Sequence, residues 1–267
     1  VNNVPECQFI QVEMKQQVLC LRINRQEVYN ALHKQSKGEL QYMIEWANAQ
    51  GDSFRAIVIG AIGKAFCTGQ DLNDRTSTAG SEGRVDLGNT LNTEWNPLVK
   101  AIHDSRIPVI AAVQGVTAGA GISVALACDL IVAAPGIKFV SGFAKIGLCP
   151  DAGSTKSLST LLGKKRAYEF FVFNQPLMSE ELQSMGVINK LVSDPWQTAL
   201  EMAQLLTQMA PLSVQLIKKN IQQASNKDWH EMLLVEVEAQ RRLGHSQDYQ
   251  EGVKAFFEKR PPRFAGK

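Results

Sequence analysis

The chain reads as an α/β protein. Apolar runs of strand length at Val18 to Ile23, Ala56 to Ile59, Val109 to Val113 and Leu130 to Ala134 have the continuous character of strands covered on both faces. Helix-compatible sequence separates them, and strand alternating with helix defines the class.

Taken in order, Leu32 to Ala47 places Leu40, Met43, Ile44 and Ala47 on one helical face, and Ala118 to Cys128 reads as a tightly packed, small-residue helix. From about Trp196 the strands give way to helices at Ala199 to Met209, at Pro211 to Ala224 with proline at the start, and at Trp229 to Leu243. This gives an α/β core over residues 1–195 and a helical region over 196–267, with no Pro-, Gly- or Ser-rich linker between them. The tail is expected to pack on the core or on a neighbouring subunit.

Composition excludes several classes. With 45% apolar residues in 267, the chain can bury a large core and is not disordered. A formal charge of +2, from 28 basic and 26 acidic residues, gives no electrostatic footprint for nucleic acid. The cysteines (Cys7, Cys20, Cys67, Cys128, Cys149) are odd in number and without C-x-x-C spacing, which fits reduced thiols in the cytoplasm better than a disulfide framework or zinc site. Val1 to Glu6 lacks the basic and apolar regions of a signal peptide, so a cytoplasmic location is expected. Ile107 to Cys128 is long enough to raise a membrane-span question, except that Pro108, Gln114, Thr117, Ser123 and the glycines favour a buried strand, turn and helix. No metal or redox cofactor is expected, and His103, His230 and His245 fit solvated or packing roles.

Two small-residue turns carry the functional signal: Lys64-Ala65-Phe66-Cys67-Thr68-Gly69-Gln70-Asp71 and Gln114-Gly115-Val116-Thr117-Ala118-Gly119-Ala120-Gly121. Each follows a strand-like run and precedes helix-compatible sequence. Small side chains let a ligand approach the peptide N–H groups, and a following helix adds its positive end, so two such turns can hold one developing oxyanion. Tight packing of helix on sheet also favours such residues.

These turns, with Asn24-Arg25, Asn30-Ala31-Leu32, Gly115 through Asp129 and Pro150-Asp151-Ala152-Gly153-Ser154-Thr155, resemble the crotonase, or enoyl-CoA hydratase/isomerase, superfamily. The likeness extends to Ser179 to Val192 and to the closing Glu251 to Arg260. It implies a crotonase-like spiral of β-β-α turns, a helical C-terminal region for trimer assembly, often a hexamer, and an acyl-CoA thioester as substrate. By motif position the thioester oxygen is expected on the amides of Cys67 and Ala120. Cys67 could instead be a nucleophile, but no paired histidine is recognisable.

The resemblance also bears on the reaction. Hydratase members use two glutamates, whose positions fall here on Ser123 and Phe143, and neither side chain can act as a carboxylate base. Asp151 occupies the place of the acid/base carboxylate of isomerase members. The alternative for Asp151 is a helix N-cap before the apolar run that follows. Asp71-Leu72 is a structural signature of the superfamily, so Asp71 and Asp74 stay outside the catalytic set. Phe66 to Arg75 and Gly147 to Asp151 are similar to the phenylacetate-degradation branch, whose members isomerise a ring epoxide of phenylacetyl-CoA or shift the double bond of 3-enoyl-CoA esters. Ser154 and Lys156 depart from that branch's pattern. The expectation is an acyl-CoA isomerase, with a hydratase or a non-catalytic acyl-CoA-binding member as alternatives.

For the remainder of the site, the resemblance implies Ala65 and Leu72 along the adenine and pantetheine path, with Gln70 and Phe143 as further substrate-binding residues. Phe256 and Lys259 are expected to approach the CoA from the tail, with Lys259 on a phosphate, unless they are a packed aromatic and a solvated cation of an amphipathic helix. The pocket walls are expected from the segment between Asp74 and Trp95.

Overall fold

The computed structural model describes residues 4–77 and 86–267. Residues 78–85 of the expected wall segment, and the first residues of the amino terminus, lie outside the described residues.

The chain opens with β1 (Ile10–Lys15), β2 (Val18–Ile23) and α1 (Lys34–Ala49), then β3 (Ala56–Ala61), β4 (Ala65–Cys67) and α2 (Leu72–Ser77). Helix α3 (Leu87–Thr90) runs through a π-helical turn, Leu91–Trp95, into α4 (Asn96–His103). Next come β5 (Val109–Val113), β6 (Val116–Ala118), α5 (Ala120–Ala127), β7 (Leu130–Ala133), β8 (Lys138–Val140), α6 (Ser154–Leu162) and α7 (Lys164–Phe173). The chain ends with β9 (Leu177–Met178), α8 (Ser179–Ser184), β10 (Lys190–Leu191), α9 (Pro195–Thr207), α10 (Pro211–Ala224), α11 (Trp229–Gly244) and α12 (Gln247–Glu258).

One sheet has the order β1-β2-β3-β5-β7-β10 and the other β4-β6-β8-β9. The repeating unit is plain in that order: β3, β5 and β7 lie in the first sheet, each is followed by a short strand (β4, β6, β8) in the second, and a helix follows each pair. This is the β-β-α spiral that the resemblance implied. The site is built from the turns that follow β4, β6 and β8.

The long strands alternate as expected for a sheet covered twice. Leu19, Leu21, Ile57 and Ile59 face the main core, whereas Val18, Cys20, Val58, Ile110 and Val132 face Ala199, Leu200 and Ala203 of α9. Leu40, Met43, Ile44 and Ala47 of α1 are all buried, as their spacing predicts. Strand β1 was not evident in the sequence, because it is an edge strand that alternates apolar and polar residues and buries only Ile10, paired antiparallel to β2 from Ile10 opposite Ile23.

The expected division at residue 196 falls within α9, which seals the outer face of the first sheet. The helices with mostly uncovered apolar faces begin at α10, and polar ties hold this tail to the core. Lys218 Nζ lies 2.8 Å from Asp129 Oδ2, and the Arg55 guanidinium donates to the carbonyls of Thr207 and Phe264 at 2.8 and 2.7 Å. Ile107 to Cys128 divides into β5, β6 and α5, and among the described residues no helix is long and apolar enough to cross a membrane. All five cysteines are free.

Candidate active site

The first turn leaves β4 at Cys67. Leu32 forms a parallel bridge with Gln70: Leu32 N–H donates to Gly69 O at 2.7 Å and Asp71 N–H donates to Leu32 O at 3.0 Å. Such a bridge uses the peptide groups on either side of Gln70 and turns the N–H of Gln70 itself the other way. The second turn leaves β6 through Gly119, whose N–H donates to Val140 O at 3.0 Å, and Ala120 opens α5. As the first residue of a helix, Ala120 has an N–H with no intrahelical acceptor.

Two glycines bring these turns together. A Cβ on Gly69, at φ +89°, would stand 3.0 Å from both Ala120 N and Ala118 O, and one on Gly121 would stand 2.1 Å from Cys67 O. Only glycine permits the contact, so the turn that carries Gln70 packs directly against the start of α5 at Ala120.

A cavity of about 230 Å³ opens over them, lined by Thr68, Gln70, Leu72, Ala118, Gly119 and Ala120 and, from the third turn, by Ser141, Gly142, Phe143, Ile146, Leu148 and Asp151. It is smaller than the roughly 300–1,000 Å³ that bury whole drug-sized ligands, so it holds part of such a ligand rather than the whole. The third turn is fixed by Gly142 N–H donating to Asn174 Oδ1 and by Leu148 N–H donating to Phe143 O at 3.0 Å.

Among the described lining residues, Asp151 alone carries a carboxylate. The N-cap of α6 is Gly153, at φ +85°, with no side-chain cap, so the cap reading of Asp151 does not describe this helix start. Asp151 instead opens a tight turn, with Ala152 at φ +48° and Gly153 left-handed, closed by Ser154 N–H donating to Asp151 O at 3.0 Å. Phe143 is 6% exposed and lines the cavity, while Ser123, on α5, is buried behind it.

The expected donor Cys67 is displaced. It ends β4 in register with Thr117, is wholly buried and does not line the cavity, so the turn presents Gln70 in its place. Burial pushes the Cys67 thiol up to about 12, against a hydrogen bond from Gly69 N–H that favours the thiolate, which is the opposite of an activated nucleophile. Ala65 is also buried away from the cavity, and its carbonyl already accepts the Asn30 and Gln114 side-chain amides at 2.7 and 2.9 Å. Leu72, 55% exposed, stands at the mouth. Phe256 and Lys259 lie on α12 and at its left-handed end, where Phe256 lines a separate apolar groove between α10, α11 and α12, so one chain does not bring them to this cavity.

Asp71 is structural, as its motif implied. Burial acts to raise its pKa, but the hydrogen bond from Arg25 Nη2, at 3.0 Å, outweighs it and holds the carboxyl below its usual range. Sequence reasoning missed the support behind Gln70. Its Oε1 accepts from Lys37 Nζ and from Trp95 Nε1, each at 2.8 Å, and Lys37 pairs with Glu94 at 2.5 Å. Lys37 lies on the same buried face of α1 as Leu40 and Ile44, and a lysine in that apolar stripe was the available signal.

The site thus sets two uncommitted amides beside a carboxylate residue, an arrangement suited to holding a carbonyl oxygen while a proton moves nearby. The enoyl-CoA hydratase/isomerase family model matches residues 13–267, so the chain belongs to that family. The 1,2-epoxyphenylacetyl-CoA isomerase of Escherichia coli (strain K12) is 36% identical over 262 residues, spanning 97% of this chain and 99% of the relative. A Rhodobacter capsulatus protein named "Probable enoyl-CoA hydratase" is also 36% identical, over 97% of this chain and 98% of its own length. The crystal structure of an enoyl-CoA hydratase from Polaromonas sp. JS666 matches with a TM-score of 0.90 at 31% identity, covering 96% of this chain and 99% of that one. The chain has the crotonase fold and is an enzyme of this family.

Proposed function

We propose that the enzyme is an acyl-CoA isomerase that moves a double bond from the 3- to the 2-position of an enoyl-CoA, or rearranges a ring epoxide of an aryl-acetyl-CoA. The observation that carries this reading is the cavity wall: Asp151 faces the same space as the Gln70 and Ala120 amides, while Ser123 and Phe143 supply no carboxylate for handling water. The E. coli relative's name supports the epoxide substrate and the Rhodobacter relative's name supports hydration, at equal identity. The missing carboxylates favour isomerisation.

In the double-bond shift, Asp151 takes a proton from C2 of the 3-enoyl thioester. Negative charge spreads onto the thioester oxygen, held by the N–H groups of Gln70 and Ala120, and Asp151 returns the proton at C4, leaving the 2,3 double bond. One carboxyl serves both steps and no cofactor enters. Phe143, Ile146 and Leu148 give the acyl chain an apolar wall. The CoA nucleotide lies outside, with Leu72 at the mouth and Phe256 and Lys259 reaching it from a neighbouring subunit's tail in a homotrimer or hexamer. The free thiols accord with the cytoplasm as the proposed compartment.

The test is Asp151→Asn with a panel of 3-enoyl-CoA and aryl-acetyl-CoA epoxide substrates. Turnover should fall by roughly 10²–10⁴, the usual worth of a positioned acid/base, with acyl-CoA binding retained. Near-normal turnover removes Asp151 from the mechanism, and rapid formation of 3-hydroxyacyl-CoA from 2-enoyl-CoA by the wild type makes the enzyme a hydratase.

A further inference from the structure

Ser123 sits on α5, three residues after Ala120, and is 1% exposed. Its Oγ donates to the main-chain carbonyl of Asp151 at 3.1 Å, across 28 residues of sequence. Two further donors reach the same oxygen: Ser154 Oγ at 2.9 Å and Ser154 N–H at 3.0 Å. A carbonyl oxygen has two lone pairs, so three donors saturate it. The donors differ in what they fix. Both groups of Ser154 belong to the turn that Asp151 opens and move with it, whereas Ser123 belongs to the helix whose first amide is that of Ala120.

The turn needs such a tie. It carries consecutive left-handed residues, Ala152 at φ +48° and Gly153 at φ +85°, and alanine there is intrinsically disfavoured. A strained turn persists when its surroundings over-determine it. The bond from Ser123 holds the turn against α5 and so sets the separation between the acid at 151 and the oxygen-holding amide at 120.

We propose that Ser123 is a positioning residue for the reaction, its hydroxyl fixing Asp151 in register with the Ala120 amide. This rests on the isomerase reading above and adds a residue to it. The serine stands where hydratase members carry a glutamate, so the substitution installs a tie where those enzymes place a base.

The experiment measures kcat and KM with a 3-enoyl-CoA, and thermal unfolding, for Ser123→Ala, Ser123→Thr, Ser154→Ala, Asp151→Asn and the Ser123→Ala/Asp151→Asn double variant. Loss of the Ser123 hydroxyl should lower kcat by roughly tenfold to a hundredfold, the scale of a misplacement of about 1 Å, and leave KM within about twofold. Threonine, which keeps the hydroxyl, should recover most of the rate. Ser154→Ala, which spares the long-range tie, should cost less than about threefold, and Ser123→Ala should add nothing to the loss in Asp151→Asn. A Ser123→Ala kcat within about twofold of wild type, alongside an inactive Asp151→Asn, overturns the positioning role and leaves the acid in place. Equal losses in the alanine and threonine variants, or a further loss in the double variant, reduce Ser123 to packing and also overturn it. An active Asp151→Asn is the distinct outcome that removes the acid itself.

Discussion

Lys37 Nζ stands 2.8 Å from Gln70 Oε1, with its side chain 1% exposed and its charge paired to Glu94 at the π-helical turn. The Trp95 indole lies 5.0 Å from the same ammonium and donates its own N–H to Gln70. The Gln70 side chain is thereby pulled into the protein while its main-chain N–H faces the cavity. A buried cation here serves the geometry of an amide.

Lys37→Met should therefore act on both stability and rate. Removing one partner of a buried pair leaves the other uncompensated, which typically costs about 3–5 kcal/mol, and the partial exposure of Glu94 places this case at the lower end. Chemical denaturation reads that loss. If the network also fixes the Gln70 amide, kcat falls while KM for the acyl-CoA stays nearly level, because oxyanion contacts tighten in the transition state. A rise in KM alone would detach this network from the oxygen grip.

Gly69→Ala tests the contact between the turns. The new Cβ meets Ala120 N and Ala118 O at 3.0 Å in a backbone of φ +89°, which an L side chain adopts at a cost of roughly 1–2 kcal/mol before any clash. Backbone must give way on the side that carries the Ala120 amide. The expected result is a folded, less stable protein whose kcat is reduced by about tenfold or more, since losing one oxyanion donor costs roughly 10²–10³. Wild-type kcat in this variant would show that the two amides do not act together.

What the sequence made legible divides along physical lines. The runs at 18–23 and 109–113 coincide with β2 and β5, because strands buried on both faces leave continuous apolar runs, and Pro211 to Ala224 coincides with α10, whose start its proline marks. Strands β4, β6, β8 and β9, of two or three residues, leave none, although they set the direction of each turn. The turns themselves were readable from their glycines. Which amide the first turn presents was not, because it depends on Leu32, more than thirty residues away in sequence, bridging Gln70. The same holds for Ser123: its residue type marks the absence of a base, and only the fold shows the carbonyl that its hydroxyl meets.

Cys67 offers a prediction in pH. Its thiol is raised from an ordinary 9.0 to about 12 by burial. Below pH 9 neither folded nor unfolded chain ionises it, and its contribution to stability is whole. Between about 9 and 12 the unfolded chain loses the proton and the folded one keeps it, so stability falls with rising pH by up to about 1.4 kcal/mol per unit. Cys67→Ala should remove that share of the alkaline slope, measured as the difference between wild-type and variant denaturation curves, and leave turnover within a few-fold. Loss of turnover would restore the cysteine to the chemistry. Alkylation at pH 8 should mark exposed Cys149 before Cys67.

The last prediction concerns the tail. Leu234 is 70% exposed, Phe256 79% and Phe257 78%, with Ile221 and Trp229 nearly as open, a density of uncovered apolar side chains that a solitary chain in water does not sustain without cost. The proposed homotrimer would cover them. Leu234→Asp with Phe257→Asp should shift the mass measured by light scattering from three or six chains to one, since a buried charge at the contact is far costlier than the apolar area it replaces. The same variant separates two consequences. If the neighbouring tail supplies Phe256 and Lys259 to the CoA, KM for the acyl-CoA rises sharply while the turns built from one chain keep much of their kcat. A dissociated protein with unchanged KM would confine the whole substrate site to a single chain, and a wild type that scatters as one chain would remove the trimer altogether.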